Sequence, residues 1–436
     1  MLIEFKFKNY RSFRDESILS TEAVGLRSFK QCLIHYKSAN FLPSIAIYGK
    51  NGGGKTNVIR AFWLAVQFIR NAQRTQHENA LVPVHPFLLD DFSNLVPTSF
   101  EFTYVFDNIK YIYGFSATST EIIKEYLFSA PHGQKALIFD RDHQTFSFRE
   151  NAEKKKRQLI SETVGPNQLY FSIACTMNES SCISAMRWFR EAVFFSRDFT
   201  DIPQQLLENY ENPNMLTAIA SYAKAADVGI QDMHFDLKST EVNNLNNHTD
   251  FPDGMPEELK KALAQFMNAL SDPSNASESK LKMSEITATS YHKGLSQDGS
   301  EQLYPLQLSD ESDGTRILMA LAPGIEKVLS CGGVMLVDEL EKGIHPLLVK
   351  MIISKFQSST ANPHHAQLIF TTHDTDLLNM DMLRKDQIYF VDKDSYGASV
   401  LYCISEFSTP TSENIRKGYL AGKYGATPDV DIKEVE

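Results

Sequence analysis

Cysteine, tryptophan and long apolar runs are scarce in this sequence. Its five cysteines, Cys32, Cys175, Cys182, Cys331 and Cys403, show no C-x-x-C spacing and are odd in number. Neither a cysteine-built metal site nor a disulfide scaffold is expected, and reduced thiols in a cytoplasmic protein fit this usage. No stretch approaches the ~18 consecutive apolar residues of a membrane span, so no membrane attachment is expected. The opening Met1-Leu2-Ile3-Glu4-Phe5-Lys6 alternates like a strand and lacks the basic-then-apolar layout of a signal peptide. No heptad seam lasts three repeats, which argues against a long coiled coil. Excess positive charge is missing too: 43 Lys and Arg against 54 Asp and Glu leave a net charge of −11. Such a chain is not a general nucleic-acid binder, and direct contact with DNA would need a local basic patch. The one dense basic run is Lys154-Lys155-Lys156-Arg157. Its plainer reading is a solvated helix face.

What is present is an ordinary globular composition, 42% hydrophobic and 22% charged, in 436 residues. That length suits two or three domains, or one large domain with insertions. The most informative stretch is Ile45-Ala46-Ile47-Tyr48-Gly49-Lys50-Asn51-Gly52-Gly53-Gly54-Lys55-Thr56. Gly49 through Thr56 fit G-x-x-x-x-G-K-[ST], the phosphate-cradling P-loop. Glycines let backbone N–H groups turn inward around phosphates without Cβ clashes. Lys55 is placed to reach the β- and γ-phosphates as a point charge, and Thr56 to offer its hydroxyl to Mg²⁺. A strand over Pro43–Tyr48 and an amphipathic helix from Asn57 to Arg70 give the motif its required context. The helix would turn its positive end to the same anion. The candidate nucleotide-binding residues are therefore Gly49, Lys50, Asn51, Gly52, Gly53, Gly54, Lys55, Thr56 and Asn57. Arg11 and Ser12, in the turn Asn9-Tyr10-Arg11-Ser12-Phe13, either only shape that turn or reach the nucleotide from a strand edge.

A second motif follows much later. Gly333-Val334-Met335-Leu336-Val337-Asp338-Glu339 is an apolar strand ending in two acids, the Walker B pattern. Ligands bind at the C-terminal ends of strands in open α/β sheets. Asp338 is expected to hold Mg²⁺ through water, and Glu339 to polarise the attacking water. One helix further on (346–357), Leu368-Ile369-Phe370-Thr371-Thr372-His373-Asp374 reads as another buried strand, with His373 placed to contact the γ-phosphate. Shortly before the Walker B strand, Glu311-Ser312-Asp313-Gly314-Thr315 sets a Ser and a Gly before a helix N-terminus, where Ser312 and Gly314 would meet a phosphate.

The rest of the chain separates into three expected parts. Residues 1–180 hold two opening strands, the P-loop and an antiparallel β-lobe between Thr98 and Phe148, with period-2 alternation and hairpin turns. Residues 181–282 read as an inserted helical region. Helices are expected over 182–199, from Pro203 to Tyr210, over 214–228 and over 256–270, with a polar loop at 238–255 and a linker at 271–280. Residues 283–436 return to α/β, with strands at 286–291 and 304–308. A helix is expected over 314–329, with Pro323 inside it.

Taken in order, these motifs resemble ATPase heads of the ATP-binding-cassette type. They are most similar to the soluble heads of the chromosome-maintenance, recombination-repair and overcoming-lysogenization-defect groups. The Asn9–Phe13 turn, the β-lobe, Glu341-Lys342-Gly343-Ile344-His345-Pro346 and the tail Gly418–Pro428 resemble small ATPases of bacterial abortive-infection and anti-phage systems. The implied fold is α/β, a mixed P-loop sheet with an antiparallel β-lobe and a helical insertion. The resemblance also implies ATP and Mg²⁺ as ligands and a homodimer that buries ATP between subunits. Gly49–Thr56 of one copy would then face Ser312 and Gly314 of the other. The signature departs from the Leu-Ser-Gly-Gly-Gln of transporters by carrying Asp313, and no Gln loop is recognisable. The expected function is an ATPase that controls a separately encoded effector such as a nuclease. In support, the short remainder after Asp392 leaves no room for a second catalytic domain. The alternative is a repair or chromosome-type ATPase acting directly on DNA, which the acidic charge and absent coiled coil disfavour. The degenerate signature and long β-lobe disfavour a transporter subunit further.

Overall fold

The computed structural model describes residues 1–26, 28–72, 80–131, 133–151, 153–242, 258, 281–380, 382–407 and 413–427. Two compact units emerge: Met1–Asp198 with Gly324–Glu436, and Phe199–Pro323. Among the described residues no helix is long and apolar enough to cross a membrane.

The first unit is built on two large sheets and a small hairpin of Ile34–Tyr36 and Ala39–Phe41. Its strands are β1 (Leu2–Lys8), β2 (Ser17–Ser20), β3 (Ile34–Tyr36), β4 (Ala39–Phe41) and β5 (Ser44–Tyr48), and helix α1 (Lys55–Asn71) follows β5. The lobe then adds β6 (Thr98–Phe106), β7 (Ile109–Ala117), β8 (Ile122–Ala130), β9 (Ala136–Asp142) and β10 (Thr145–Phe148). These lobe strands join the opening pair in one antiparallel sheet of order β10-β9-β8-β7-β6-β1-β2. The opening strands thus extend the lobe and take no place beside the P-loop strand. The alternation Phe5, Phe7 against Glu4, Lys6 explains this, since it suits a sheet with one face packed and one polar. Phe5 packs, tilted, against Phe62 of α1 and Phe102 of β6, both at 4.8 Å between ring centroids, which seats the helix on the sheet's inner face. Each such buried ring contributes about 1.5–3 kcal/mol of apolar burial.

Three helices then cover the sheet: α2 (Lys154–Ser161), α3 (Tyr170–Thr176) and α4 (Ser180–Glu191). The basic run does not form a wholly solvated face. Arg157 is buried against Glu179, at 2.8 Å, and Glu179 also accepts the Cys182 N–H at the start of α4. A lone carboxylate in such a place would be strongly penalised, so the arginine's position follows from the cap it neutralises. The helix expected over 182–199 stops at Glu191. Val193–Phe195 instead form β11, which pairs in parallel with the Walker B strand. Helical spacing of Val193 and Phe194 coincided with a short β-prone run, and strand pairing decided between the two.

The second unit holds α5 (Ile202–Asn209), α6 (Pro213–Ala226), and the antiparallel sheet of β12 (Ile230–Val242), β13 (Leu281–Leu295) and β14 (Glu301–Gln307). The polar stretch from 238 therefore begins as strand, up to Val242. The expected loop beyond it, the helix over 256–270 and the linker at 271–280 lie outside the described residues, Glu258 apart. Helix α7 (Asp313–Cys331) contains Pro323, and the second unit ends within it.

The remaining elements return to the first unit: β15 (Val334–Val337), α8 (Pro346–Gln357), β16 (Gln367–Thr371), β17 (Ile388–Lys393), β18 (Ser399–Cys403) and α9 (Ile415–Leu420). The second sheet runs β11-β15-β16-β5-β17-β18, parallel except for β18. Such strands are buried on both faces, which is why β15 reads as an unbroken apolar run and β5 and β16 carry the apolar centres Ile45–Tyr48 and Leu368–Phe370. The fold is thus the expected α/β arrangement of a mixed P-loop sheet with a separate antiparallel lobe; the insertion, expected to be helical, instead joins helices to a three-stranded antiparallel sheet, because the long polar strands β12 and β13 pair with each other.

Candidate functional site

The P-loop leaves the C-terminal end of β5, between β16 and β17 in the sheet. Gly49 has φ 156° and Gly54 φ 122°, conformations that side chains rarely adopt. A Cβ at Gly49 would run into the Val391 carbonyl of β17, and one at Gly54 would lie 2.5 Å from the Ser399 hydroxyl of β18. Glycine is therefore required by the neighbouring strands as well as by the turn. Asn51 and Gly52 form the exposed tip. Gly54 stands at the start of α1 and supplies no side-chain hydrogen bond there. That leaves a helix N-terminus suited to an anion.

Lys55 is buried, and its Nζ donates to the Gly49 carbonyl at 2.8 Å and the Lys50 carbonyl at 3.4 Å. Burial pushes its pKa down, against the pull of Glu339, Asp338 and Glu341. Thr56 Oγ1 donates to Asp338 Oδ1 at 3.1 Å, so the P-loop hydroxyl and the Walker B acid meet directly. The same Asp338 oxygen accepts Thr371 Oγ1 at 2.7 Å. Thr371 in turn accepts the Glu339 N–H at 2.7 Å, and its carbonyl takes the Leu340 N–H at 3.1 Å. These bonds hold Glu339 at φ 54°, a left-handed conformation uncommon for a residue with a Cβ. Such strain persists where surrounding contacts over-determine it.

His373 follows β16. Its N–H donates to Glu341 Oε1 at 2.5 Å, while Glu341 Oε2 is buried with no hydrogen-bond partner among the described residues. Burial and the nearby Lys55 push the His373 pKa down, opposed by Glu341, Glu339 and Asp338. On the other flank, Asn57 donates to Ser12 Oγ at 2.8 Å. The Ser399 N–H donates to the Ser12 carbonyl at 2.6 Å, and Ser399 Oγ donates to the Gly53 carbonyl at 2.6 Å. Arg11 lies beside Ser12 on the wall of a cavity of about 370 Å³, with His85, Phe87, Leu88 and Lys393. The structure therefore brings together Gly49–Asn57, Arg11, Ser12, Asp338, Glu339 and His373. Ser312 and Gly314 belong to the second unit, where Ser312 Oγ accepts the Thr315 N–H at 3.2 Å at the start of α7.

Four side chains were not singled out by sequence reasoning. Thr371 and Glu341 stand beside the motif residues Asp338, Glu339 and His373, where a neighbouring hydroxyl or acid is the signal. Ser399 and Asp392 lie on the last two strands, far from any motif. Asp392 Oδ1 is 2.9 Å from Lys50 Nζ. Burial works against its charge, but the Ala426 N–H, Lys50 and the Lys393 N–H outweigh it and hold its pKa below the ordinary value.

A family model described as "AAA domain, putative AbiEii toxin, Type IV TA system" matches residues 44–381, from the P-loop strand to just beyond His373. The chain belongs to this AAA family. No curated protein matches it. Among solved structures, "the recombination mediator protein RecF-ATP in RecFOR pathway" is similar at 12% identity and a TM-score of 0.31, covering 92% of this chain and 97% of that one. CbiO1 from Clostridium perfringens, part of the ABC transporter complex cbiONQ, is similar at 12% identity and a TM-score of 0.28, covering 97% and 92%. In this AAA chain the donor set fits a magnesium nucleotide. The helix end and P-loop backbone offer N–H groups to phosphates, and Thr56 and Asp338 offer the hard oxygen ligands that Mg²⁺ takes.

Proposed function

We propose that this AAA protein binds and hydrolyses ATP with Mg²⁺. The observation that carries the reading is the meeting of Thr56 with Asp338 at 3.1 Å beside buried Lys55. Lys55 and the backbone of Gly49–Thr56 would hold the phosphates, and Thr56 and Asp338 the ion. Bound Mg²⁺ would neutralise charge on the phosphates. Glu339 would orient and deprotonate the attacking water, and His373, whose pKa is pushed down beside Lys55, would face the terminal phosphate. The cavity beside Arg11 and Ser12 would take the nucleoside.

In this reading two copies close around ATP, with Ser312 and Gly314 of each serving the other's nucleotide. The dimer then controls a separately encoded effector, such as a nuclease, in anti-phage abortive infection. The family description, which names a toxin and a type IV system, supports the defence setting. The deciding experiment is the solution mass of Glu339→Gln with and without ATP and Mg²⁺, alone and with the neighbouring gene's product. ATP-dependent dimers that recruit the neighbour are expected. A monomer under saturating ATP would remove the shared-site reading, and assembly that needs DNA and ignores the neighbour would remove the effector reading.

A further inference from the structure

The end of the described chain turns back onto the P-loop sheet. Its anchor is an aromatic cluster: Tyr419, at 5.2 Å, and Tyr424, at 5.8 Å, both lie nearly parallel to Phe390 of β17. Tyr402 Oη of β18 donates to the Tyr424 carbonyl at 2.6 Å, and Tyr419 Oη to the Ala426 carbonyl at 3.2 Å. Arg416 pairs with Asp376 at 3.0 Å, just after the His373 segment. These contacts place Ala426, buried and at φ 61°, with its N–H 2.8 Å from Asp392 Oδ2. The other Asp392 oxygen accepts the Lys393 N–H at 2.8 Å and faces Lys50 of the P-loop at 2.9 Å. One carboxylate therefore touches the tail with one oxygen and the phosphate loop with the other.

We propose that Asp392 is a positioning residue for the P-loop, and that the segment 413–427 sets nucleotide affinity through it. The inference rests on nucleotide binding at Gly49–Asn57. A P-loop must present several backbone N–H groups in one conformation, and its tip, Asn51 and Gly52, is exposed. Lys50 sits just before that tip, so tethering its side chain removes alternatives that the loop would otherwise sample. Releasing the tail frees Asp392 Oδ2 and loosens the tether. Because coupling between two sites is reciprocal, bound nucleotide must in turn hold the tail down.

The full chain is titrated with a fluorescent ATP analogue and Mg²⁺. Asp392→Asn keeps an oxygen for Ala426 but loses the charge facing Lys50. It is expected to raise Kd and KM roughly fivefold, the scale of a partly exposed ion pair, with kcat within about twofold. Adding Asp392→Asn to Lys50→Met should cost nothing further. Tyr402→Phe, which keeps the ring and loses the hydroxyl bonded to the Tyr424 carbonyl, should shift Kd the same way by less, and serves should Asp392→Asn fail to fold. Trypsin cleavage after exposed Lys417 and Lys423, followed by mass, should slow several-fold with nucleotide in the wild type but not in Asp392→Asn. A Kd unchanged in both Asp392→Asn and Tyr402→Phe, additive losses in the double variant, or tail cleavage indifferent to nucleotide would overturn the inference. Failure of the wild type to bind the analogue would instead overturn the nucleotide reading itself.

Discussion

Thr371→Val isolates the side chain that holds both Walker B acids. Valine keeps the shape and the β-branch, so the loss is the hydroxyl. Two bonds disappear, the one to Asp338 and the one from the Glu339 N–H, each 2.7 Å long. A hydrogen bond to a charged group contributes about 1.5–3 kcal/mol, and a buried N–H left unpaired costs about 1–3 kcal/mol. The added methyl returns up to about 0.8 kcal/mol. The net expectation is a loss of about 2–5 kcal/mol in denaturant unfolding. Thr371→Ser keeps the hydroxyl and loses one methyl, for about 1 kcal/mol. Activity should separate the two further. With its N–H released, Glu339 has less reason to stay at φ 54°. Misplacing a catalytic group by about 1 Å costs on the order of 10²-fold in turnover. Steady-state ATPase rates should therefore fall about that much in Thr371→Val and remain within several-fold of wild type in Thr371→Ser. If the two variants match in stability and turnover, the hydroxyl does not organise the site.

Lys55→Ala should abolish nucleotide binding in equilibrium titration; unchanged affinity would remove the P-loop assignment. Glu339→Gln should bind ATP normally while turning over on the order of 10²-fold more slowly, as for loss of a general base. Wild-type turnover would place water activation elsewhere. Arg157→Ala leaves Glu179 buried and unpaired, and should cost about 3–5 kcal/mol by denaturant unfolding, where an exposed pair would cost under about 1. For pH, the Asp392 pKa is lower folded than unfolded. The folded state therefore binds that proton less readily, and the stabilisation is present above the ordinary aspartate value and lost as pH falls through the lowered one. The melting-temperature gap between wild type and Asp392→Asn should stay constant near neutrality and close below roughly pH 4; a gap indifferent to acid would contradict this.

The sequence alone determined the local chemistry and the class of fold. Gly49–Thr56 needs only eight neighbouring residues, because phosphate binding by a glycine loop and a helix end is a local property of the backbone. The apolar centres of β5, β15 and β16 announce strands covered on both faces, and the lobe's alternation announces a sheet covered on one. Tertiary structure decided what no local pattern encodes, namely which strand lies beside which. The order β15-β16-β5-β17-β18 puts Asp338 against Thr56 and Thr371, and Ser399 and Asp392 against the P-loop. Strand pairing also took Val193–Phe195 from a helix reading, and a buried cap took Arg157 from a solvated one. In each case the sequence carried the residue, but its partner lies far away along the chain. Only closure of the sheets supplies the low-dielectric surroundings in which that pairing outweighs local preference.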